Sequence, residues 1–559
     1  MKTQSCLSFR AFMLVLVVYL SLAGQVVQAD FFFGEPTNLG PPVNTVYEEY
    51  GHCISTDGLE LYFSSDRPPS AHFDVWVATR GSTEDNWGDP VLLGSEVNTA
   101  NEEWCPRLSP DGLELYFSRL GGGGLGNRDI YVTRRENLDA LWGPVENLGA
   151  PINHTGADYT VCLSADGLEL YFSSSRAGGY GGIDLYVAKR TTKDSAWGVP
   201  QNLGPLVNVG THEIAPSLSP DGLILFFSDL HFAGMRPGGL GQPDIWMTTR
   251  AARDHQWSTP INLGPPINGG TGENDPWLSA DGSMLTFTST RSGGQGATDL
   301  WQAPILPLID FNGDGKVDGA ELRRLVDHWG TDDSTCDIGP TPFGDGVVDF
   351  QDLVVLAEYT GKEVIDPTLV THWPLDETDG EVAHDNAGGN DGIVVGTPMW
   401  QPEAGAVGGA LLFDGFNNYI DTPAIVNPAD GPFSAVAWIQ TMVPDGVILS
   451  ELNGANWLMV DSSAGTLATS LGSGGRTPTL PLVSPVAVGV LEWHRIGLVW
   501  NGSSRVLCLD GAVVASDNPD SLAESEGPLL IGCGADQSPD SLWTGLIDDV
   551  RIYNRAVKP

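Results

Sequence analysis

Six positions near the middle of the chain offer oxygen ligands at a spacing that suits one kind of chemistry. Asp310, Asn312, Asp314, the backbone carbonyl of Lys316, Asp318 and Glu321 fall within the run D-F-N-G-D-G-K-V-D-G-A-E. Donors so spaced can converge on one hard divalent cation, with Glu321 giving both oxygens and Gly315 making the sharp turn, so the expected ion is Ca²⁺. A second, degenerate loop offers Asp337, Asp345, Asp349 and Asp352, its first half enlarged by four residues that include Pro340 and Pro342. Leu322, Leu325, Val326 and Trp329 follow the first loop at helical spacing and are expected to form the apolar face of an exit helix. A second helix is expected through Leu353 and Leu356.

Another set of carboxylates recurs along the first half of the chain. Asp-Gly pairs begin at Asp57, Asp111, Asp166, Asp221 and Asp281, in steps of 54, 55, 55 and 60 residues. Eight residues before each pair stands an acid: Glu49, Glu103, Asp158, Glu213 and Glu273. On five equivalent inner strands these acids would surround one mouth of a central channel. Such a ring admits cation binding by hard oxygen ligands or acid–base catalysis by a suitably separated pair. The structural alternative pairs each acid within its own repeat with Arg67, Arg119, Arg176, Arg236 or Arg291, which follow the second strand.

A fixed period of this size points to a solenoid, propeller or array. In each unit a strand leads through Ser-x-Asp-Gly into a second strand, with Asp-Gly supplying a tight hairpin turn. A Gly-rich loop, an Asp-led aromatic strand and a fourth strand around Asn-Leu-Gly complete the unit, as in a propeller blade. The fifth unit stops at Trp301 without its fourth strand. Phe33-Gly34-Glu35-Pro36-Thr37-Asn38-Leu39-Gly40 matches the missing piece, so residues 30–305 are predicted to close as a five-bladed β-propeller with the amino-terminal strand in the last blade. The Leu-Ser-x-Asp-Gly and Gly-Gly-x-Gly-x-x-Asp-(Leu/Ile)-Tyr elements resemble the WD-like propeller repeats of the TolB type. That resemblance implies a rigid platform for proteins or peptides and leaves activity open.

The paired loops, the first of which matches an EF-hand at every ligand position, resemble a type I dockerin over residues 309–362. The resemblance implies a small α module that folds on calcium and docks onto a cohesin-like domain, in a family often attached to polysaccharide-degrading machinery. The pairs expected to read a cohesin differ between its halves, Gly319-Ala320 against Phe350-Gln351, and a calcium-dependent spacer is the other reading. From Leu369 onward, His372-Trp373-Pro374-Leu375-Asp376-Glu377, Ala410 to Gly415, Trp493 to Trp500 and Gly545 to Tyr553 punctuate a chain of short strands. They are similar to the laminin-G-like, concanavalin A-like jelly roll over residues 369–559. This implies a β-sandwich that binds glycans or proteins, often with a structural Ca²⁺, for which Asp376, Asp414 and Asp548 are candidates; turn formation is their alternative role. Trp438, Trp457 and Trp493 could make a sugar-stacking platform or belong to the core.

The fold class read from these features is mainly β, with one small helical module. Lys2 and Arg10, the apolar run Ala11 to Leu22 and Val27-Gln28-Ala29 read as a secretory signal peptide over residues 1–29. The run is shorter than the ~20 residues of a membrane span, so no transmembrane segment is expected in the mature chain. Export to the periplasm, the medium or the cell surface follows. Removing the signal leaves 25 of the 27 basic side chains against 71 acidic ones. That field repels nucleic acid and attracts divalent cations. Export permits a bridge between Cys508 and Cys533. The chain carries no Gly-x-Ser-x-Gly, His-Glu-x-x-His, Gly-Lys-Ser/Thr or Cys-x-x-Cys motif. The reading is an exported calcium-binding interaction protein without a catalytic residue, holding a glycan or cell-surface protein through the jelly roll and a second partner through the propeller. The alternative from another class is a glycoside hydrolase or lyase using propeller carboxylates, or a dockerin-borne component of such machinery.

Overall fold

The computed structural model describes residues 31–557 except 71, 231–235, 241, 312–315, 332–335, 341, 345–346, 363–365, 367, 398, 473–479, 503, 520 and 526. The signal-peptide reading, Asn312, Asp314 and Asp345 therefore lie outside the described residues. Five antiparallel sheets form the propeller, and their first strands, Glu49–Ile54, Glu103–Leu108, Asp158–Leu163, Glu213–Leu218 and Glu273–Leu278, touch one another in a ring. Four sheets are continuous in sequence. The fifth takes its outer strand from the other end: Thr37 and Asn38 pair with Gln302 and Trp301, and Phe31 to Phe33 pair with Pro307 to Ile305.

The repeated motifs build each blade in the same way. At each Asp-Gly turn a serine hydroxyl donates to the aspartate, as Ser109 does to Asp111 at 2.6 Å, and the aspartate accepts from the backbone two residues on. The Gly-rich loops wrap the aspartate that opens the third strand, so that Asp129 accepts from the amides of Leu125 and Gly126. These loops are blade hairpins. The Trp-(Gly/Ser)-x-Pro element places an indole beneath an arginine: Arg80, Arg135, Arg190 and Arg250 lie 4.2 to 4.6 Å from the rings of Trp87, Trp142, Trp197 and Trp257.

Two short helices follow, α1 (Gly319–Asp327) and α2 (Phe350–Tyr359). Each begins with a reciprocal capping box, Asp318 with Glu321 and Asp349 with Asp352. Their shared core holds Phe311, Val317, Leu325, Ile338, Val348 and Leu356. The expected apolar face of α1 is corrected: Leu325 is buried, whereas Leu322, Val326 and Trp329 are 44, 55 and 46% exposed. The inward position one turn before Leu325 belongs to Glu321, so the helix rotates its polar cap residue inward and turns the other apolar residues to solvent.

The carboxyl-terminal part is a sandwich of two eight-stranded antiparallel sheets. Trp373, Trp457 and Trp543 are fully buried between them. Trp457 packs against Phe433 at 5.1 Å, so the three expected tryptophans do not share a platform; only Trp438 and Trp493 are half-buried. Cys508 lies in a strand of one sheet and Cys533 just beyond a strand of the other, and no disulfide joins them, so the bridge that export would permit is not made. The amino-terminal strand also meets the later units: Phe31 is edge-on to Phe343 at 5.0 Å and shares a small cavity with Thr368, Pro432 and Arg555. Among the described residues no helix is long and apolar enough to cross a membrane. Deleting residues 30–40 is expected to expose the edge of Asp299–Pro307 and lower the melting temperature of the propeller, measured by differential scanning calorimetry; an unchanged transition would show that the closure is not stabilising.

Candidate functional site

The five column acids open the inner strands, and all are fully buried. Each reaches the arginine of its own blade: Glu49 to Arg67 at 2.7 Å, Glu103 to Arg119 at 2.7 Å, Asp158 to Arg176 at 3.1 Å, Glu213 to Arg236 at 3.3 Å and Glu273 to Arg291 at 3.5 Å. Hydroxyls complete the shells, such as those of Thr45 on Glu49 and Ser174 on Asp158. None of the five faces an open channel mouth, and the geometry is that of five repeated intrablade ion pairs.

Burial raises the pKa of Glu49, Glu103, Asp158 and Glu213 despite these lowering contacts. Glu213 is pushed up to about 7 by burial, which Arg236 and Thr211 only partly oppose. Its cross-strand neighbour is Asp229, where Glu49, Asp158 and Glu273 each face a serine whose hydroxyl donates to the acid. An aspartate at that position supplies no such donor when ionised.

Two residues beyond each acid the repeats disagree, with Gly51, Cys105, Thr160, Ala215 and Asp275 in register. Every inner strand bulges here. Gly51, Cys105, Ala215 and Asp275 have φ of +41, +53, +52 and +50°. A Cβ at Gly51 would lie 2.5 Å from the Cys105 sulfur, and that sulfur lies 3.9 Å from the Asp275 carboxylate, so these side chains meet at the axis. Burial raises the pKa of Asp275, partly offset by Arg107. Arg107 is itself fully buried, lies 5.3 Å from the Trp277 ring and donates to the His52 carbonyl. Five different residue types at one register position break the five-fold pattern, so no repeat in the sequence signals this column.

In the first candidate cation loop, Glu321 is fully buried; one oxygen accepts from the Asp318 amide at 2.7 Å and the other has no hydrogen-bond partner among the described residues. Asp318 caps α1 by accepting from Ala320. Of the other loop candidates, Asp310 is half-buried and Lys316 exposed. The second loop differs. Asp352 accepts from the amides of Ile338, Gly339 and Asp349, and Asp349 accepts from Gln351, so the helix caps engage both acids. Asp337 lies against Gly344, where a Cβ would come within 2.4 Å of its carboxylate.

The sandwich brings two of its three candidate aspartates together. Asp548 accepts from Val407 at 2.8 Å and Asp376 accepts from Gly409, so both address the 405–409 loop. A Cβ at Gly405 would lie 2.8 Å from Asp548 and one at Gly408 would lie 2.4 Å from Asp376, which is why this loop is glycine-rich. Asp548 is fully buried, its other oxygen has no hydrogen-bond partner, and burial pushes its pKa up to about 8, with Asp549 and Asp376 adding to the rise. The neighbouring Leu375 and Asp549 have φ of +61 and +51°. Asp414 is elsewhere, accepting from the amides of Phe416 and Asn417 in a turn, and leaves the candidate set. No three acidic, histidine or cysteine side chains converge as a metal cage among the described residues.

A family model described as the concanavalin A-like lectin/glucanases superfamily, laminin-G type, matches residues 413–559. The sandwich extends beyond this match, since Leu369–Trp373 pairs with the last strand, Thr544–Tyr553. No curated protein matches the chain. Among solved structures, Trypanosoma rangeli sialidase in complex with the inhibitor DANA is 12% identical with a TM-score of 0.41, covering 92% of this chain and 93% of that one. Domain 4 of AbnA, a GH43 extracellular arabinanase from Geobacillus stearothermophilus, in complex with arabinotriose, is 16% identical with a TM-score of 0.25, covering 34% of this chain and 94% of that one.

Glu213 gives the propeller a testable pH dependence. Its folded pKa of about 7 stands above the ordinary value, so its neutral form favours the folded state below the unfolded pKa and this contribution is lost as pH rises toward 7. Glu213→Gln is therefore expected to shrink the fall in melting temperature between pH 5 and pH 8. An identical pH profile in the variant would refute the assignment.

Proposed function

We propose that this chain is an exported, calcium-binding interaction protein that holds a glycan through its sandwich and a second partner through its propeller. The observation that carries the reading is the convergence of Asp376 and the buried, partly unpartnered Asp548 on the 405–409 loop of a lectin-like fold. Two carboxylates on one loop are hard ligands of the kind Ca²⁺ takes. Calcium there would tie the first, middle and last segments of the sandwich together and fix the loop end for recognition. Asp310, Asp318 and Glu321 would hold a second ion, with Asn312 and Asp314 from the same run, and the unpartnered Glu321 oxygen supports this.

The propeller supplies a platform in this reading. Its five column acids are closed by their own arginines, which favours a binding role over hydrolysis. The exposed Leu322, Val326, Trp329 and Phe350 suit the two-helix module to docking onto a protein such as a cohesin-like domain.

The test uses the full chain in calcium and in chelator. Saturating Ca²⁺, at about 100 times its Kd, is expected to contribute ~2.7 kcal/mol and raise the sandwich transition by roughly 5–10 °C. Asp548→Asn should remove most of that gain, and Glu321→Ala should remove the calcium response of the helical module. A glycan array probed with the calcium-loaded protein should show retention without release of reducing sugar. Calcium-independent melting would overturn the metal assignment, absence of any glycan binding would overturn the ligand assignment, and sugar release would replace binding by hydrolysis.

A further inference from the structure

The sandwich contains a second feature, away from the Asp376 and Asp548 pair. A cavity of about 340 Å³ opens at one end of a sheet, lined by Asn456, Ser470, Asp536, Ser538, Asp540 and Ser541 among others. That volume lies at the lower end of the range for small-molecule sites. Asn456 begins the strand Asn456–Asp461 and Ser470 follows Thr466–Thr469; the other four belong to the loop before the last strand.

The two walls hold each other in place. Asn453 donates its amide to the Ala535 carbonyl at 2.8 Å, and the Asn456 side-chain oxygen accepts from the Ala535 amide at 3.0 Å. Ser541 accepts from Gly534 at 3.1 Å and donates to Ser538 at 2.8 Å. Each wall also contains one non-glycine residue in the left-handed region, Asn453 at φ +61° and Gln537 at φ +53°. Backbone of that kind persists where the surroundings over-determine it, as they do at ligand clamps, and here the hydrogen bonds between the walls do so.

The groups facing the cavity form a mixed set. Asp536 gives one oxygen to the Ser538 amide at 3.1 Å and keeps the other. Asp540 is exposed. The Asn456 side-chain amide has only a weak contact at 3.8 Å with the Met459 sulfur. The Asp536 and Asp540 acceptors, the Asn456 amide donor and the Ser538 hydroxyl match the vicinal hydroxyls of a sugar ring, while the Ser470 and Ser541 hydroxyls are engaged within the walls. An ammonium ligand would leave the amide donor unmatched, and an anion would face two carboxylates. Beside the cavity, Gln537 donates to the Tyr419 hydroxyl at 3.2 Å, which holds a half-buried aromatic ring at the rim as a stacking surface. Among the described residues no lysine, arginine or histidine lines the cavity, and the chain carries a formal charge of −44.

We propose that this cavity is the saccharide pocket of the sandwich and that it selects uncharged sugars over uronates, sulfated sugars and other anionic glycans. The proposal rests on the glycan-binding reading above and adds its location and selectivity. The experiment compares the full-length, calcium-loaded protein with D536A/D540A, N456D, which keeps the acceptor for Ala535 and removes the amide donor, and Y419A on paired arrays of neutral and anionic oligosaccharides, followed by calorimetry with the best neutral ligand.

Wild-type protein should retain neutral glycans, and each variant should lose at least tenfold in affinity while keeping the wild-type melting temperature and calcium response. Neutral-glycan binding unchanged in all three variants would overturn this pocket and leave the glycan-binding reading intact. Preference for anionic glycans would overturn the selectivity. Loss of calcium binding in D536A/D540A without loss of sugar binding would make the cavity a cation site and overturn the proposal. No glycan binding by the intact chain would overturn both.

Discussion

The propeller depends on a buried ion pair made five times. A carboxylate without water costs several kcal/mol unless a partner and further hydrogen bonds replace the lost hydration, and here the partner is an arginine that does more than neutralise. Arg67, Arg119, Arg176, Arg236 and Arg291 each lie 4.7 to 5.5 Å from the aromatic ring that follows the third-strand aspartate or its equivalent, at Trp76, Tyr131, Tyr186, Trp246 and Trp301. Each also donates to carbonyls in the loop that enters its blade, such as Val97 for Arg119 and Leu206 for Arg236. One guanidinium therefore joins an inner-strand acid, a third-strand ring and the connection from the preceding blade. In the first blade that connection is Pro42 and Val43, just after the amino-terminal strand that completes the last blade. The same interaction that builds a blade closes the ring.

This interaction explains which parts of the architecture were legible in the sequence. The acid, the Asp-Gly turn, the arginine and the aromatic strand recur because each is a term in one local network, and duplication copies the network whole. Strand order, the number of blades and the borrowed outer strand all follow from that repetition. The bulge two residues beyond each acid was not legible. Backbone in the left-handed region is ordinarily signalled by glycine, and only Gly51 gives that signal, whereas Cys105, Ala215 and Asp275 adopt the same conformation under contacts from neighbouring blades. What fills the axis is thus decided between blades, and periodicity within one blade says nothing about it.

The carboxyl-terminal domain shows a related limit. Asp376, Asp414 and Asp548 occur in similar short contexts, each after a leucine-rich or isoleucine-bearing strand segment, and composition could not separate them. Their different roles come from chain crossings. Asp376 lies just beyond the first strand and Asp548 inside the last, and these strands pair with Trp373 opposite Val550, so the same loop reaches both. Asp414 ends its strand at a sharp turn whose amides take its oxygens first. Likewise Trp457 and Trp438 look equivalent by strand spacing, yet the first points between the sheets and the second away from them.

Taken together, the acids of this chain divide by how their charge is met. Those of the propeller column are fully buried and paired within their blades, although Glu213 keeps one oxygen without a hydrogen-bond partner among the described residues. In the sandwich and the first candidate cation loop, backbone amides engage only part of each carboxylate, and among the described residues Glu321 and Asp548 each keep one oxygen without a partner. A buried acceptor left in that state costs free energy, and the proposed cations would offset that cost. An excess of acids over bases as large as this one favours cations over anionic partners. Self-pairing thus frames the repeated half of the molecule, and the proposed binding sites lie where repetition stops.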